Sequence, residues 1–339
     1  MDQLFARIID AHVATRPQVM VTPLDHSPVL SRALGCEVLL KCEHLQPTGS
    51  FKIRGATNKI RLMDRRAREA GVITASTGNH GQAVARAGAL AGVPVTVFVA
   101  AETTPAKMAA IRALGAELVV VDGPPIAAEQ QARARAGQLG QTYVSPYNDL
   151  EVVAGQGTLG VELMDQEPDL DAVFIAVGGG GLIGGAGTAI KGLSPRTRVV
   201  GAWAENSACM LGALEAGAIV DVRERPTLSD GTAGAVEAGS VTFALCQEVV
   251  DQTVIVDEAQ IASAMARIAD AERWMVEGAA GVAMAGLIKA AKGYQGCKVA
   301  VVLCGRNIAL ETFARAIEEA RVAGRNSRLS EADVWSGRG

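Results

Sequence analysis

Several features that would classify a chain quickly are missing from these 339 residues. No two of the six cysteines (36, 42, 209, 246, 297 and 304) have a C-x-x-C or zinc-ligand spacing. In a chain of this length they read as reduced thiols of a cytoplasmic protein, not as staples or metal ligands. Positive charge is not in excess: 32 Lys and Arg face 36 Asp and Glu, a formal charge of −4. A nucleic-acid partner ordinarily needs a basic face, so none is expected. The opening MDQLFARIIDAH lacks the basic start and apolar centre of a signal peptide and patterns as an amphipathic helix. The uncharged run 172–190 holds seven glycines in nineteen residues, four of them consecutive. Such a run is a poor helix and would leave backbone groups unpaired in lipid, so no membrane span is expected. Internal repeats and low-complexity segments are also lacking.

What the chain does have is alternation. Short β-branched runs at 37–43, 72–76, 93–100, 116–122, 171–177, 198–205, 253–257 and 298–304 are separated by helical patterns at 80–91, 105–114, 125–139, 151–165, 258–273 and 308–321. This predicts an α/β protein with mostly parallel sheets. The strands read as unbroken apolar runs, as expected when both faces are covered. Residues 221–245 are irregular, either a loop over a site or a plain connection. The polar stretch 322–339 is expected to be a loose tail.

Four places carry residues suited to chemistry. Gly178, Gly179, Gly180 and Gly181 lie between the run DAVFIAV and the helical LIGGAGTAIKG. Glycines at a strand-to-helix turn let backbone N–H groups converge on an anion, usually a phosphate. The same stretch also fits G-x-G-x-x-G through Gly179, Gly181 and Gly184, with Glu205 21 residues further on, so a dinucleotide site competes on this motif alone. STGNHGQA, 76–83, likewise follows a strand and opens a helix. Its Ser76, Thr77 and Asn79 suit a carboxylate or an aromatic oxygen, or else simply cap the helix. Cys304 ends the last apolar run, where a free cysteine is by default a small buried hydrophobe. Lys52, in PTGSFKIRG, follows Phe51 in a glycine-flanked stretch. It is either a surface lysine after a loop or an amine held in a half-dry pocket. One phosphate nest, one carboxylate loop and a lysine in a dry pocket suit pyridoxal 5′-phosphate, which needs an amine for its aldehyde, a nest for its phosphate and a partner for its ring nitrogen.

Taken in order, TPL (22–24), LLKCEHLQPTGSFKIRGATN (39–58), STGNHGQA, VAGQGT (153–158), VGGGGLIGG (177–185), VEGAAGVA (276–283) and LCGRN (303–307) resemble the fold-type II pyridoxal-phosphate enzymes, the tryptophan synthase β-like group. The threonine/serine dehydratases and serine racemases are the nearest part of that group. The resemblance spans roughly 15–320. It implies a two-domain, three-layer αβα fold, with a large cofactor domain from 1–64 and 148–321 and a small closing domain from 65–147. It implies that Lys52 holds the cofactor aldehyde, Phe51 packs beneath it and Asn79 bonds its phenolic oxygen. Gly178–Gly181 and Leu182 would bind the phosphate, and Cys304 would face the ring nitrogen. Ser76, Thr77 and His80 would line the substrate carboxylate site, with Lys52 and Thr77 as the acid–base groups. A small amino acid is the implied substrate and a homodimer the implied assembly.

Departures from the pattern matter too. Thr77 stands where serine racemases place a serine, which disfavours racemisation without excluding it. Glu205 occupies a position some relatives use for a divalent cation, but Cys209, Met210 and Leu211 replace the expected second acid, so no metal is expected. Arg306 and Gly278 resemble a branch that includes hydroxyectoine-utilisation, phenylserine and hydroxyaspartate dehydratases. Arg306 would then read a second carboxylate or narrow the pocket, or else form an exposed salt bridge. The implied activity is dehydration of a β-hydroxy-α-amino acid. The rivals are a racemase, an NAD-dependent oxidoreductase and a non-catalytic amino-acid binder.

Overall fold

A computed structural model describes residues 1–336 of the chain. Its ten strands are β1 (Leu24–His26), β2 (Glu37–Lys41), β3 (Val72–Ala75), β4 (Val95–Ala100), β5 (Glu117–Val121), β6 (Thr142–Tyr143), β7 (Ala172–Ala176), β8 (Arg198–Ala204), β9 (Gln252–Val256) and β10 (Lys298–Val302). Six of them form one sheet in the order β1-β2-β10-β7-β8-β9, and four form a second in the order β5-β4-β3-β6. Every pairing is parallel except β1 with β2. All four strands of the second sheet come from within 65–147.

The apolar runs explain the burial. All five residues of β7 are buried, and so are six of the seven in β8. Each fully buried Val or Ile contributes about 1.5–3 kcal/mol to folding. Parallel pairing needs a crossover between strands, and helices supply it. The short strands β1 and β6 carry too little apolar pattern to be read in advance. No helix among the described residues is long and apolar enough to cross a membrane.

Among the helices with no counterpart in the predicted helical patterns, two bear on the site: Lys52–Arg61 and Gly278–Ala290. Glycines within them lower their intrinsic propensity, and close packing overrides that. A Cβ on Gly155 would come 2.6 Å from the Gly55 Cα, so the helices Lys52–Arg61 and Leu150–Gln166 meet backbone to backbone. The same Lys52–Arg61 helix buries Ile53, Ala56 and Ile60 in the core of the four-stranded sheet, so it spans the two layers. The stretch 322–336 is not a loose tail: it continues the helix Leu310–Ser336. Its Ala, Glu and Arg content favours helix. The last three residues of that expectation, 337–339, lie outside the described ones.

Candidate active site

Parallel pairing of β2 with β10 creates the site. It sets Lys41 beside Val302, and the chain beyond each strand stays in step. Leu303 N donates to Lys41 O (3.0 Å), His44 N to Leu303 O (2.9 Å) and Phe51 N to Cys304 O (3.1 Å). Ser50 bridges Gly305, and Arg306 N donates to Gly49 O at 2.9 Å. Two segments some 250 residues apart in sequence are thus laid side by side at the carboxyl edge of the sheet, where open α/β proteins bind ligands.

Lys52 opens its helix there. Its Nζ donates to Pro146 O at 2.8 Å and lies 5.1 Å from the centroid of the buried Phe51 ring. Burial pulls its pKa down to about 8, and the nearby Cys304 and Glu277 only partly oppose this. Loss of water disfavours an ammonium, so an appreciable fraction of the amine is neutral near physiological pH. Cys304 is buried, and its thiol is pushed well above its usual value by burial first and by Glu277 second. It is therefore a neutral S–H.

The glycine turn forms a cradle with no room for side chains. A Cβ on Gly178 would meet Thr232 backbone at 2.7 Å, and one on Gly179 the Tyr147 ring at 2.5 Å. Gly180 has φ +83°, a left-handed conformation that glycine adopts freely. It caps the helix Gly181–Leu193, whose first N–H groups, including that of Leu182, have no intrahelical acceptor. Thr242 Oγ1 donates to Gly179 O at 2.6 Å and holds the turn. The segment 221–245, whose last residues open the helix Val241–Val249, contributes directly: Glu237 N donates to Tyr147 Oη at 3.0 Å, and Thr232 packs on Gly178.

From the second sheet, β3 leads through Ser76 and Thr77 into the helix Asn79–Ala91. Both residues are half-buried, and Ser76 Oγ accepts from Gly78 N at 3.3 Å. His80 turns away from them. Its Nε2 meets Val144 O at 2.9 Å, which requires a proton on Nε2. Burial first and the Lys52 charge second lower its pKa to about 3, so its ring is neutral. His80 can offer an anion its backbone N–H at the helix start, but no side-chain charge.

One site residue escaped sequence reasoning. Glu277 is 7% exposed, and both its oxygens accept from Asn79 Nδ2 at 2.9 Å. It also accepts from Asn307 N (3.2 Å) and lies 3.9 Å from Cys304 Sγ. Burial raises its pKa to about 7. A signal existed: Glu277 is the only charge between Arg273 and Lys289. A lone acid in an apolar run is rarely buried without a partner. Two other singled-out residues lie outside this cluster. Glu205 is exposed and faces Arg225 at 3.4 Å, and Arg306 is exposed.

A sequence profile for the family described as pyridoxal-phosphate dependent enzyme matches residues 15–305. An L-threonine ammonia-lyase of Thermotoga maritima is 40% identical over 89% of this chain and 75% of its own length. An L-threo-3-hydroxyaspartate ammonia-lyase of a Pseudomonas species is 34% identical over 86% of this chain and 92% of its own. The processed form of threonine deaminase isoform 2 from Solanum lycopersicum superposes with a TM-score of 0.90 at 34% identity, over 94% of each chain.

Proposed function

The chain belongs to the pyridoxal-phosphate dependent enzymes, and on that premise we propose that it is a lyase that dehydrates a β-hydroxy-α-amino acid to a 2-oxo acid and ammonia. The residues fit the cofactor. The glycine turn, bent by the positive φ of Gly180, opens the helix Gly181–Leu193 and leaves its first backbone N–H donors for a phosphate. The Lys52 amine, with its pKa lowered to about 8, suits an aldehyde. Phe51 offers an apolar floor. When bound, pyridoxal phosphate supplies the electron sink that lets the C–H bond beside an amino group break.

The protein's own groups then divide the work. Lys52 takes the α-proton on its Nζ. Ser76, Thr77 and the free N–H groups at the start of the helix Asn79–Ala91 hold the substrate carboxylate. The four-stranded layer, 65–147, closes over it and excludes water, with Arg133 reaching Glu237 of the segment 221–245 at 2.5 Å. The β-hydroxyl leaves as water, and water is taken up again when the released imine hydrolyses, so the products are isomeric with the substrate. The observation that carries elimination is the neutral Cys304 thiol, which the resemblance would set against the ring nitrogen. A thiol that keeps its proton does not make a strong electron sink, which favours prompt loss of the β-hydroxyl over long-lived carbanion chemistry. We take the working form to be a cytoplasmic homodimer, as the resemblance implies.

The test is 2-oxo acid and ammonia release from L- and D-threonine, L-serine, phenylserine, 3-hydroxyaspartate and a hydroxyectoine-derived amino acid. One substrate should give stoichiometric release. Preference for 3-hydroxyaspartate, lost in Arg306→Ala, would assign Arg306 to a second carboxylate. Inversion of chirality without release, from a yellow protein, would replace this reading with a racemase that uses Thr77 on the opposite face.

The lysine's depressed pKa gives a second expectation. Only the neutral amine attacks an aldehyde. Capture of pyridoxal phosphate by the apoprotein should therefore quicken about tenfold per pH unit below pH 8 and level off above it. Stopped-flow absorbance measures this. A rate still climbing at pH 10 would mean a solvated lysine.

A further inference from the structure

We propose that Glu277 is a positioning residue: it fixes the side-chain amide of Asn79 so that one N–H points at the oxygen carried by the cofactor ring. This rests on the functional reading above and on the resemblance, which implies that Asn79 faces that oxygen. The geometry is a closed set of constraints. Asn79 Nδ2 lies 2.9 Å from both Glu277 oxygens. Asn307 Nδ2 donates to Asn79 Oδ1 at 2.6 Å, and also to Thr48 O at 2.8 Å. Asn307 N donates to Glu277 Oε2 at 3.2 Å.

In its ionised form, which the Asn307 N–H donor favours, Glu277 has no hydrogen to give, so the end of Asn79 that meets it is the nitrogen. On the other side, Asn307 presents its NH2, so the end of Asn79 that meets it is the oxygen. Turning the amide over would set oxygen against carboxylate and NH2 against NH2. Two neighbouring residues thus enforce one orientation. The two acceptors of Nδ2 belong to one carboxylate at equal distances, so one shared hydrogen can serve both. That leaves the second hydrogen, for which Nδ2 has no acceptor other than this carboxylate among the described residues. A fixed donor with no acceptor of its own suits an oxygen that bears negative charge, where hydrogen bonds are strongest. The same carboxylate accepts from Cys304 Sγ at 3.9 Å, so one group orients both polar side chains that border the ring.

Glu277 cannot be replaced by an ordinary helix cap. It precedes the helix Gly278–Ala290, yet its side chain makes no capping bond there. It reaches instead to a helix that follows the other sheet. A Cβ on Gly305 would come 2.6 Å from the carboxylate, so the loop after β10 is shaped around it.

The experiment titrates apoprotein with pyridoxal phosphate and follows the visible absorption band in wild type, E277Q and N307A. A Gln presents an NH2 as readily as an oxygen, so the acceptor is no longer obligatory and Asn79 is held only from the Asn307 side. The cofactor's dissociation constant should rise about tenfold in E277Q, and the band should move to shorter wavelength as the ring oxygen loses the donor that favours its anion. Borohydride should still label Lys52 in each protein. N307A should shift both readouts in the same direction by less. A folded E277Q with wild-type band and affinity overturns the inference, even if its unfolding midpoint falls. Should E277Q not fold, N307A decides, and wild-type values in it overturn the inference. Wild-type protein that takes up no pyridoxal phosphate overturns the functional reading and this inference together. A yellow wild type matched by E277Q overturns this inference alone.

Discussion

Lys52→Ala should lower turnover by at least ~10³-fold, because one amine carries two duties. It holds the cofactor aldehyde, and once displaced by substrate it removes the α-proton. The neighbouring lysines cannot stand in. Lys41 Nζ is buried and committed to Glu162, Thr22 O and Gln166, and Lys59 pairs with Asp149 at 2.5 Å. The variant should fold as wild type, since removing this amine relieves desolvation instead of breaking an ion pair. It should bind pyridoxal phosphate without covalent attachment, so borohydride leaves no label at position 52. Methylamine should restore a small part of the rate by supplying a diffusible base. Activity within tenfold of wild type would remove Lys52 from the mechanism.

Arg54→Met should destabilise the protein by about 3–5 kcal/mol, read as a drop in the urea unfolding midpoint. Arg54 is fully buried two residues after Lys52. Its Nε and Nη2 donate to the two Glu43 oxygens at 2.7 Å each. Its Nη1 and Nη2 donate to Glu162 at 2.8 and 2.7 Å, and Nη1 also donates to Thr158. Lys41 completes the group with a 2.7 Å bond to Glu162. Two cations and two carboxylates thus neutralise one another away from water. Removing Arg54 leaves two buried carboxylates with one lysine. Adding Glu43→Gln to the variant removes the surplus negative charge and should recover part of the loss. A double variant no more stable than the single would show that packing, not charge, is at stake.

The same cluster gives an acid limit. Burial pushes Glu162 up, but Arg54 and Lys41 outweigh it and hold the carboxyl below its usual value. A carboxyl held low in the native state stabilises fully above its unfolded pKa and ceases to do so as pH falls through the native one. Acid should therefore weaken the seat of the Lys52 helix, and Glu162→Gln should lose this part of the pH dependence.

Some of this was legible along the chain and some was not. Eight strands announced themselves because β-branched apolar runs buried on both faces have few other uses. The glycine turn and the asparagine loop could be read because their chemistry is local: a strand, a tight turn and a helix start within a few residues. The helices Lys52–Arg61 and Gly278–Ala290 could not, because glycines that lower helix propensity are retained there for contacts with distant backbone. For His80, its sequence position allowed a ligand role, and the fold turned its ring to a carbonyl 64 residues away.

By itself, the sequence determined the α/β class, the order of the motifs and the residue types available to a phosphate, an aldehyde and a carboxylate, since each follows from local periodicity and side-chain chemistry. Only the tertiary structure decided what lies next to what. Parallel pairing of β2 with β10 brings Cys304 to Lys52, helix packing gives Arg54 its two acids, and the loop after β10 brings Asn307 to Asn79 and Glu277. A pKa depends on the water a group has lost and the charges around it. The neutral thiol, the softened lysine and the raised Glu277 carboxyl are therefore properties of that assembly and not of the residues alone.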